Sequence, residues 1–511
     1  MLRPLSVGAL MTLCIALGAP GSLYAASSCE SLRSLTSPSA TITLAELVPS
    51  GPLPSRGPSA EGRTAGPVLP RHCRVTATLE PSPDSSIEIE VWLPVDNWNG
   101  KFQAVGNGGW AGAISVPAMA SALRDGYATA STDTGHTGAT GQFAVGHPEK
   151  VTDFAYRAVH EMTVTAKRLV AAFYGRAPRL SYWSGCSTGG RQGMMAAQRY
   201  PDDFDGIVAG APVYNMVRLS AANVAHQMDV FRDNTRLLPR EKIALVANAA
   251  LAACDANDGV KDGIVSNPES CAFNPATLSC TAGDGPRCLT APQVESVRRV
   301  YAGVSTKAGE LVYPGSSRGF EAGLRMPQGT EPLPLHLDMF RYVGHQDPKW
   351  SAAAFDLDAD LALALKNGGT IEANDPNLAA FKARGGKLLL YHGWADPGPA
   401  PANTIGYVSR VERALAGTQK DWLRLFLLPG VGHCGGGPGP DQADFVGALE
   451  RWREAGVAPD RIRASRVNAN RVDMTRPLCP YPQVAQYTGV GSTNDAENFV
   501  CRPPQSSGAT K

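Results

Sequence analysis

Apolar and charged residues alternate at period two from Ile87 to Leu93, in IEIEVWL, the spacing of a half-exposed strand. The next apolar run, KFQAV, passes directly into the glycine-rich GNGGWAG, a strand entering a loop. From Asp153 to Gly175 apolar residues recur at helical spacing, with Asp153 placed to cap the first turn and Gly175 to end the last. RLSYWSGCSTGGRQGMMAAQRYPDDFDGIVAGAP then reads strand, sharp turn, helix, strand. That is a βαβ unit, and such units imply a parallel sheet with covering helices, an α/β fold.

After Pro212 the rhythm breaks. Between Val213 and Arg384 there are helical stretches, short cysteine pairs and many Pro and Gly, but few convincing strands. This predicts a domain inserted at 213–384 between two parts of one sheet domain, 26–212 and 385–511. The α/β pattern returns with GKLLLYHGWADP, a helix near TIGYVSRVERAL, the strand LRLFLLPGVGHC and the helix FVGALERWREAG.

The first residues change the setting. Arg3, an apolar stretch from about Val7 to Leu17 and the small residues Ala25 and Ala26 predict a secretory signal peptide over 1–25. No later stretch reaches the roughly 18 apolar residues of a membrane helix, so the expected product is soluble and exported, to the periplasm or the medium. The 47 basic and 46 acidic residues leave a formal charge of +1, which offers no field for nucleic acid or an anionic membrane and favours small-molecule chemistry. With Cys14 removed in the signal, an even number of cysteines argues for disulfides: Cys29, Cys73, Cys186, Cys254, Cys271, Cys280, Cys288, Cys434, Cys479 and Cys501. The near neighbours Cys254 and Cys271, Cys280 and Cys288, and Cys479 and Cys501 read as local staples. Cys186 and Cys434 have no near neighbour.

A serine hydroxyl is a weak nucleophile until a base takes its proton and a third group orients that base. In α/β-hydrolases these groups occur in the order Ser, acid, His, each on a loop after a strand. Ser187 in Gly-x-Ser-x-Gly, Asp396 and His433 fit that order, although 54 glycines make a chance match to the first motif easy. Cys186 precedes Ser187 and Cys434 follows His433. A bond between those cysteines, with Cα atoms about 4.4 to 6.8 Å apart, brings serine and histidine within proton-transfer range. The other readings of Cys186 are a thiol nucleophile or an inert buried cysteine. For the oxyanion of a tetrahedral intermediate, the candidate donors are the backbone N–H of Thr188 and one from GNGGWAG, Gly109 ahead of Gly108; a plain tight turn is the alternative for that loop. In CDANDGVKDGI, Asp255, Asp258 and Asp262 crowd one loop, which suits an oxygen-seeking cation such as calcium or, equally, a solvated acidic turn.

GCSTGG, GWADP and GHC together resemble the Cys-Ser, Asp and His-Cys motif of the tannase and feruloyl esterase family, with similarity from about Cys29 to Cys501. The resemblance implies an α/β-hydrolase fold with a lid domain, Ser187 as nucleophile, His433 as base, Asp396 as its orienting acid and a Cys186 to Cys434 disulfide. It also implies a structural calcium held by Asp255, Asp258 and Asp262 through side chains and by Val260 and Ile264 through carbonyls. Leu324, Phe340, Arg341 and Tyr342 are candidates to line a substrate pocket, or to form a structural core. The expected substrate is a small aromatic ester, a hydroxycinnamoyl or galloyl ester. A terephthalate mono-ester is the alternative, favoured if Arg341 meets a second carboxylate. A calcium-stabilised exported binding protein without catalysis is a third reading.

Overall fold

A computed structural model describes residues 27–35, 38–53, 66–326 and 331–504, so the expected signal segment lies outside the described residues. The central sheet has nine strands: β1 (Ala40–Val48), β2 (His72–Leu79), β3 (Ile87–Pro94), β4 (Lys101–Val105), β5 (Ala128–Thr132), β6 (Leu180–Cys186), β7 (Gly206–Gly210), β8 (Lys387–Gly393) and β9 (Leu423–Leu428). Their order across the sheet is β1-β2-β3-β5-β4-β6-β7-β8-β9. β1, β2, β3 and β5 pair antiparallel, whereas every pair from β5 to β9 is parallel. The chain runs outward from β4 to β5 and then returns across β4 to start β6. The loops after β4 and β6 therefore emerge side by side, at the reversal point where open α/β sheets place their sites.

Helices cover both faces. On one, α2 (Ala158–Tyr174), α3 (Thr188–Arg199) and α8 (Pro401–Ala414) bury Met162, Leu169, Met194, Tyr407 and Val411 against Val91, Phe102, Ile207 and Leu390. On the other, α1 (Val116–Arg124) packs Met119 and Leu123 on Trp92 and Val105, and α9 (Phe445–Ala455) packs Leu449 and Trp452 on Tyr182, Leu389 and Phe426. This double cover corrects the expectation for IEIEVWL. The strand is buried on both faces, and Glu90 is 3% exposed. Its carboxylate is paired with the Arg74 guanidinium (2.6 Å) and accepts from the Trp92 indole N–H (2.7 Å), as a buried polar group must.

Gly175 ends its helix in the left-handed conformation, φ 70°, as its sequence position requires. Asp153 is not the cap at the other end. A helical turn already starts at Pro148, whose fixed φ suits a first position, and a π-turn at Asp153–Arg157 joins it to α2. Asp153 is instead fully buried, where its carboxylate takes the Arg157 guanidinium (2.5 Å) and the Ser85 hydroxyl (3.2 Å).

The chain leaves the sheet after β7 and re-enters at β8, its parallel neighbour. The described intervening residues form α4 (Met216–Arg232), α5 (Arg240–Cys254), α6 (Ala291–Ala302) and α7 (Leu357–Gly368), and a short strand pair, Val304–Ser305 with Leu311–Tyr313. Part of this segment has its own core around Val246, Phe273 and Val297; the rest shares a core with Trp110 and Phe154 from the loops above the sheet. Antiparallel pairs Ile462–Asn468 with Arg471–Leu478, and Val484–Tyr487 with Phe499–Arg502, complete the chain. The disulfides are Cys29–Cys73, Cys186–Cys434, Cys254–Cys271, Cys280–Cys288 and Cys479–Cys501. Among the described residues no helix is long and apolar enough to cross a membrane.

Candidate active site

Ser187 occupies the turn between β6 and α3 with φ 62° and ψ −122°, a conformation that non-glycine residues avoid. The turn needs glycine on both sides of it. A Cβ on Gly185 would stand 2.7 Å from the backbone of Gly189, and one on Gly189 would stand 3.1 Å from that of Gly106. Backbone bonds hold the strained residue, with Ser187 N–H donating to the Gly210 carbonyl (2.9 Å) and Arg191 N–H to that of Ser187 (3.0 Å). The serine hydroxyl is thereby raised above the carboxyl ends of the parallel strands.

His433 reaches it from the loop after β9, with Nε2 2.9 Å from Ser187 Oγ. Its Nδ1 donates to Asp396 Oδ2 (2.7 Å), in the loop after β8. Both ring nitrogens thus have one assignment: Nδ1 carries hydrogen because its partner is a carboxylate, and Nε2 accepts from the serine hydroxyl. Asp396 is fully buried. Burial pushes its carboxyl up, but hydrogen bonds from His392 and His433, reinforced by electrostatic attraction to the two rings, outweigh that and hold it at about 2. The Gly398 N–H occupies its other oxygen, Oδ1 (2.8 Å).

Cys186 and Cys434 are bonded, Cα to Cα 6.0 Å, so the bridge lies directly against the serine–histidine contact. Cys434 also has a left-handed backbone, φ 63°. Two strained residues thus flank one contact, and the bridge joins the two loops that carry them.

The glycine-rich loop after β4 lies against α3. Asn107 and Gln192 exchange two hydrogen bonds (both 3.1 Å), and the Gly189 N–H donates to the Asn107 carbonyl (2.8 Å). The Thr188 hydroxyl donates to the Gly109 carbonyl (2.9 Å), so Gly109 sits beside the residue that follows the serine. Gly108 is engaged differently, its carbonyl accepting from Ala111 N–H (2.9 Å).

From the inserted segment, Leu335 overhangs this loop. Its Cδ1 would be 3.3 Å from a Cβ on Gly109, and it is 47% exposed. The Trp110 indole donates to the Leu335 carbonyl (2.8 Å) and Gly141 N–H to the Asp338 carboxylate (3.0 Å), which fix the segment there. Leu335 was not among the sequence candidates, and an isolated Leu in a Pro- and Leu-rich run carries no signal of its own. Of those candidates, Phe340 is fully buried in the inserted core, packed edge-on to Phe355. Arg341 is held by the Glu331 carboxylate (2.9 Å) and the Trp350 carbonyl (3.0 Å), so its charge is already matched. Leu324 packs on the α5–α6 core, next to Gly323, which faces Pro397; Tyr342 is half-buried.

In the acidic loop, Asp255 Oδ1 accepts backbone N–H groups from Asp262, Gly263 and Ile264 (3.1–3.3 Å). Asp262 Oδ2 pairs with the buried Arg476 guanidinium (2.6 Å). Burial first, and the Asp262 charge among lesser causes, push the Asp258 carboxyl up, an arrangement a cation relieves. Among the described residues no group of three His, Cys, Asp or Glu side chains is placed to hold a metal ion, and the Asp262 carboxylate is already paired with Arg476.

The sequence profile described as "Tannase and feruloyl esterase" matches residues 73–332 and 340–502. An uncharacterized esterase of Xanthomonas campestris is 36% identical, the alignment covering 98% of this chain and 94% of the relative. A probable feruloyl esterase B-2 of Aspergillus terreus is 34% identical over 91% of this chain and 93% of its own. The crystal structure of feruloyl esterase B from Aspergillus oryzae superposes with a TM-score of 0.85 at 30% identity, covering 93% of this chain and 99% of that one. At 24% identity, tannin acyl hydrolase from Aspergillus niger shares the fold, with a TM-score of 0.73 over 91% of this chain and 92% of its own. Joined to the α/β-hydrolase sheet, these likenesses establish that the chain belongs to the tannase and feruloyl esterase family and is a carboxylic ester hydrolase.

Proposed function

We propose that the protein is an exported serine esterase that cleaves small esters of aromatic acids, hydroxycinnamic or gallic, through an acyl-enzyme. The observation that carries this reading is the hydrogen-bonded chain Ser187–His433–Asp396, with its serine on a strained turn at the sheet edge. Ser187 Oγ attacks the ester carbonyl as His433 Nε2 takes its proton. Asp396 keeps Nε2 free to accept and stabilises the imidazolium that forms. The oxyanion is held by the N–H groups of Thr188 and Gly109, each such donor contributing roughly 2.7 to 4 kcal/mol. His433 returns the proton to the departing alcohol, then activates water against the acyl-enzyme, and a second collapse frees the acid and Ser187.

The aromatic acid comes from the feruloyl esterase relatives. Leu335, exposed above Gly109, supplies an apolar surface of the kind a flat ring uses. The matched charge of Arg341 leaves the terephthalate alternative without the free cation that would favour it. Export is supported by the disulfides, which form in oxidising compartments. A calcium ion in the Asp255–Ile264 loop completes the reading as a structural element outside the chemistry.

Fluorophosphonate labelling tests the assignment: wild-type protein takes one equivalent at Ser187 and Ser187→Ala takes none. Methyl ferulate, methyl gallate and a terephthalate mono-ester then rank the substrates. Labelling of Ser187→Ala, or the highest kcat/KM on the terephthalate ester, overturns the corresponding part.

A further inference from the structure

Asp396 Oδ2 receives two imidazoles, and only one belongs to the chemistry above. His392, at the end of β8, brings Nε2 within 3.2 Å of that oxygen and 2.9 Å of the Pro399 carbonyl. Its Nδ1 lies 2.8 Å from the Thr404 hydroxyl. His392 is fully buried and stands four residues before Asp396. Both partners of Nε2 are pure acceptors, so this nitrogen carries hydrogen in either protonation state of the ring.

From this geometry we infer that His392 is a positioning residue for catalysis, acting through Asp396; the inference rests on the triad assignment proposed above. Its N–H does three things. It stops the carboxylate from turning away from His433. It draws on the basicity of Oδ2, which restrains how strongly Asp396 favours the His433 imidazolium. Shared with Pro399, it also ties the acid's loop to β8, while Thr404 anchors the ring to the first turns of α8. The charged and titratable groups facing this cluster are Asp396, beyond it His433, and Tyr313, whose hydroxyl accepts from Ala400 N–H (3.2 Å). Tyr313 is buried with its pKa far above the working range, which leaves the acid limb to His433.

The test uses His392→Leu, which removes the donor, His392→Gln, whose amide N–H reaches the Nε2 position, and Thr404→Val, which frees the ring. Fluorophosphonate titration of Ser187 first counts competent sites, so failure of the triad assignment shows as an unlabelled wild type and is separate from failure of this inference. Per labelled site, His392→Leu is expected to lose about ten- to a hundredfold in kcat with KM unchanged, the range of a buried acceptor left unpaired. The acid limb of its kcat/KM profile moves to higher pH, because an unrestrained Asp396 raises the His433 pKa. His392→Gln restores the limb and most of kcat; Thr404→Val shows a smaller shift in the same direction. If the limb stays at its wild-type pH in both His392→Leu and Thr404→Val, or if kcat per labelled site is unchanged, the inference is wrong. Should His392→Leu fail to fold, Thr404→Val and His392→Gln decide it alone: an unmoved limb in Thr404→Val overturns it.

Discussion

Ser187 and His433 stand 246 residues apart in the chain and 2.9 Å apart in space, and the neighbour of each is one half of the Cys186–Cys434 disulfide. The whole inserted segment lies between them. Closing so long a loop by noncovalent contacts alone carries a large entropic cost, which a covalent link removes from the unfolded state.

Replacing both cysteines by serine is therefore expected to lower stability by about 5 kcal/mol for a closed loop of this length on the chain-entropy model. Because Ser187 and Cys434 both hold left-handed backbone, kcat per folded molecule is expected to fall as well. Chemical denaturation together with active-site titration measures the two effects separately.

The Asp396 carboxyl is held at about 2, below its ordinary 3.8. A carboxyl depressed in the folded state stabilises fully above the unfolded pKa and loses that contribution as pH falls through the folded one. Asp396 thus contributes about 2 kcal/mol above roughly pH 5, lost progressively toward pH 2. Urea titrations of wild type and Asp396→Asn are expected to differ most near neutral pH and to converge in acid.

Among the described residues Arg191 has no carboxylate partner although it is fully buried; burial pushes its guanidinium down to about 9. It donates to the carbonyls of Phe154 and Ala155 in the π-turn and of Ile371 in the inserted segment, and lies over the Phe154 ring. Arg191→Ala leaves those carbonyls unpaired and opens a void, so a loss of about 3 kcal/mol is expected. The thermal midpoint measures it, and Arg191→Lys, which lacks the fork, is expected to recover only part.

Calcium in the acidic loop is expected to appear as about one equivalent in elemental analysis of the purified protein. Chelation then lowers the thermal midpoint, and Asp255→Asn abolishes that response. Ile264, at the end of this loop, packs against Gly430, three residues before His433. Chelated protein is accordingly expected to lose activity before it unfolds, seen by assaying across the melt.

The convergence of Ser187, Asp396 and His433 was legible because it is written in local chemistry: a glycine-flanked serine, acid and histidine after predicted strands, and a cysteine beside each of two of them. Elements decided by distant partners were not. Glu90 reads as solvent-facing until the Arg74 and Trp92 that neutralise and cover it are known. Asp153 resembles a cap because nothing local betrays a π-turn. His392, inside the quoted GKLLLYHGWADP, stands four residues before the acid, and only the folded loop turns its ring onto the carboxylate. Phe340 and Arg341 have a pocket's chemistry but were drawn into packing and an ion pair by Phe355 and Glu331.

The placing of the Cys186–Cys434 bridge bears on how the protein can be made. Its second sulfur is encoded so late that the bond cannot exist until most of the polypeptide has been translated and has met an oxidant. A host that keeps thiols reduced should yield full-length chains with a floppy, sluggish centre, and exposure to an oxidising buffer should bring them to life.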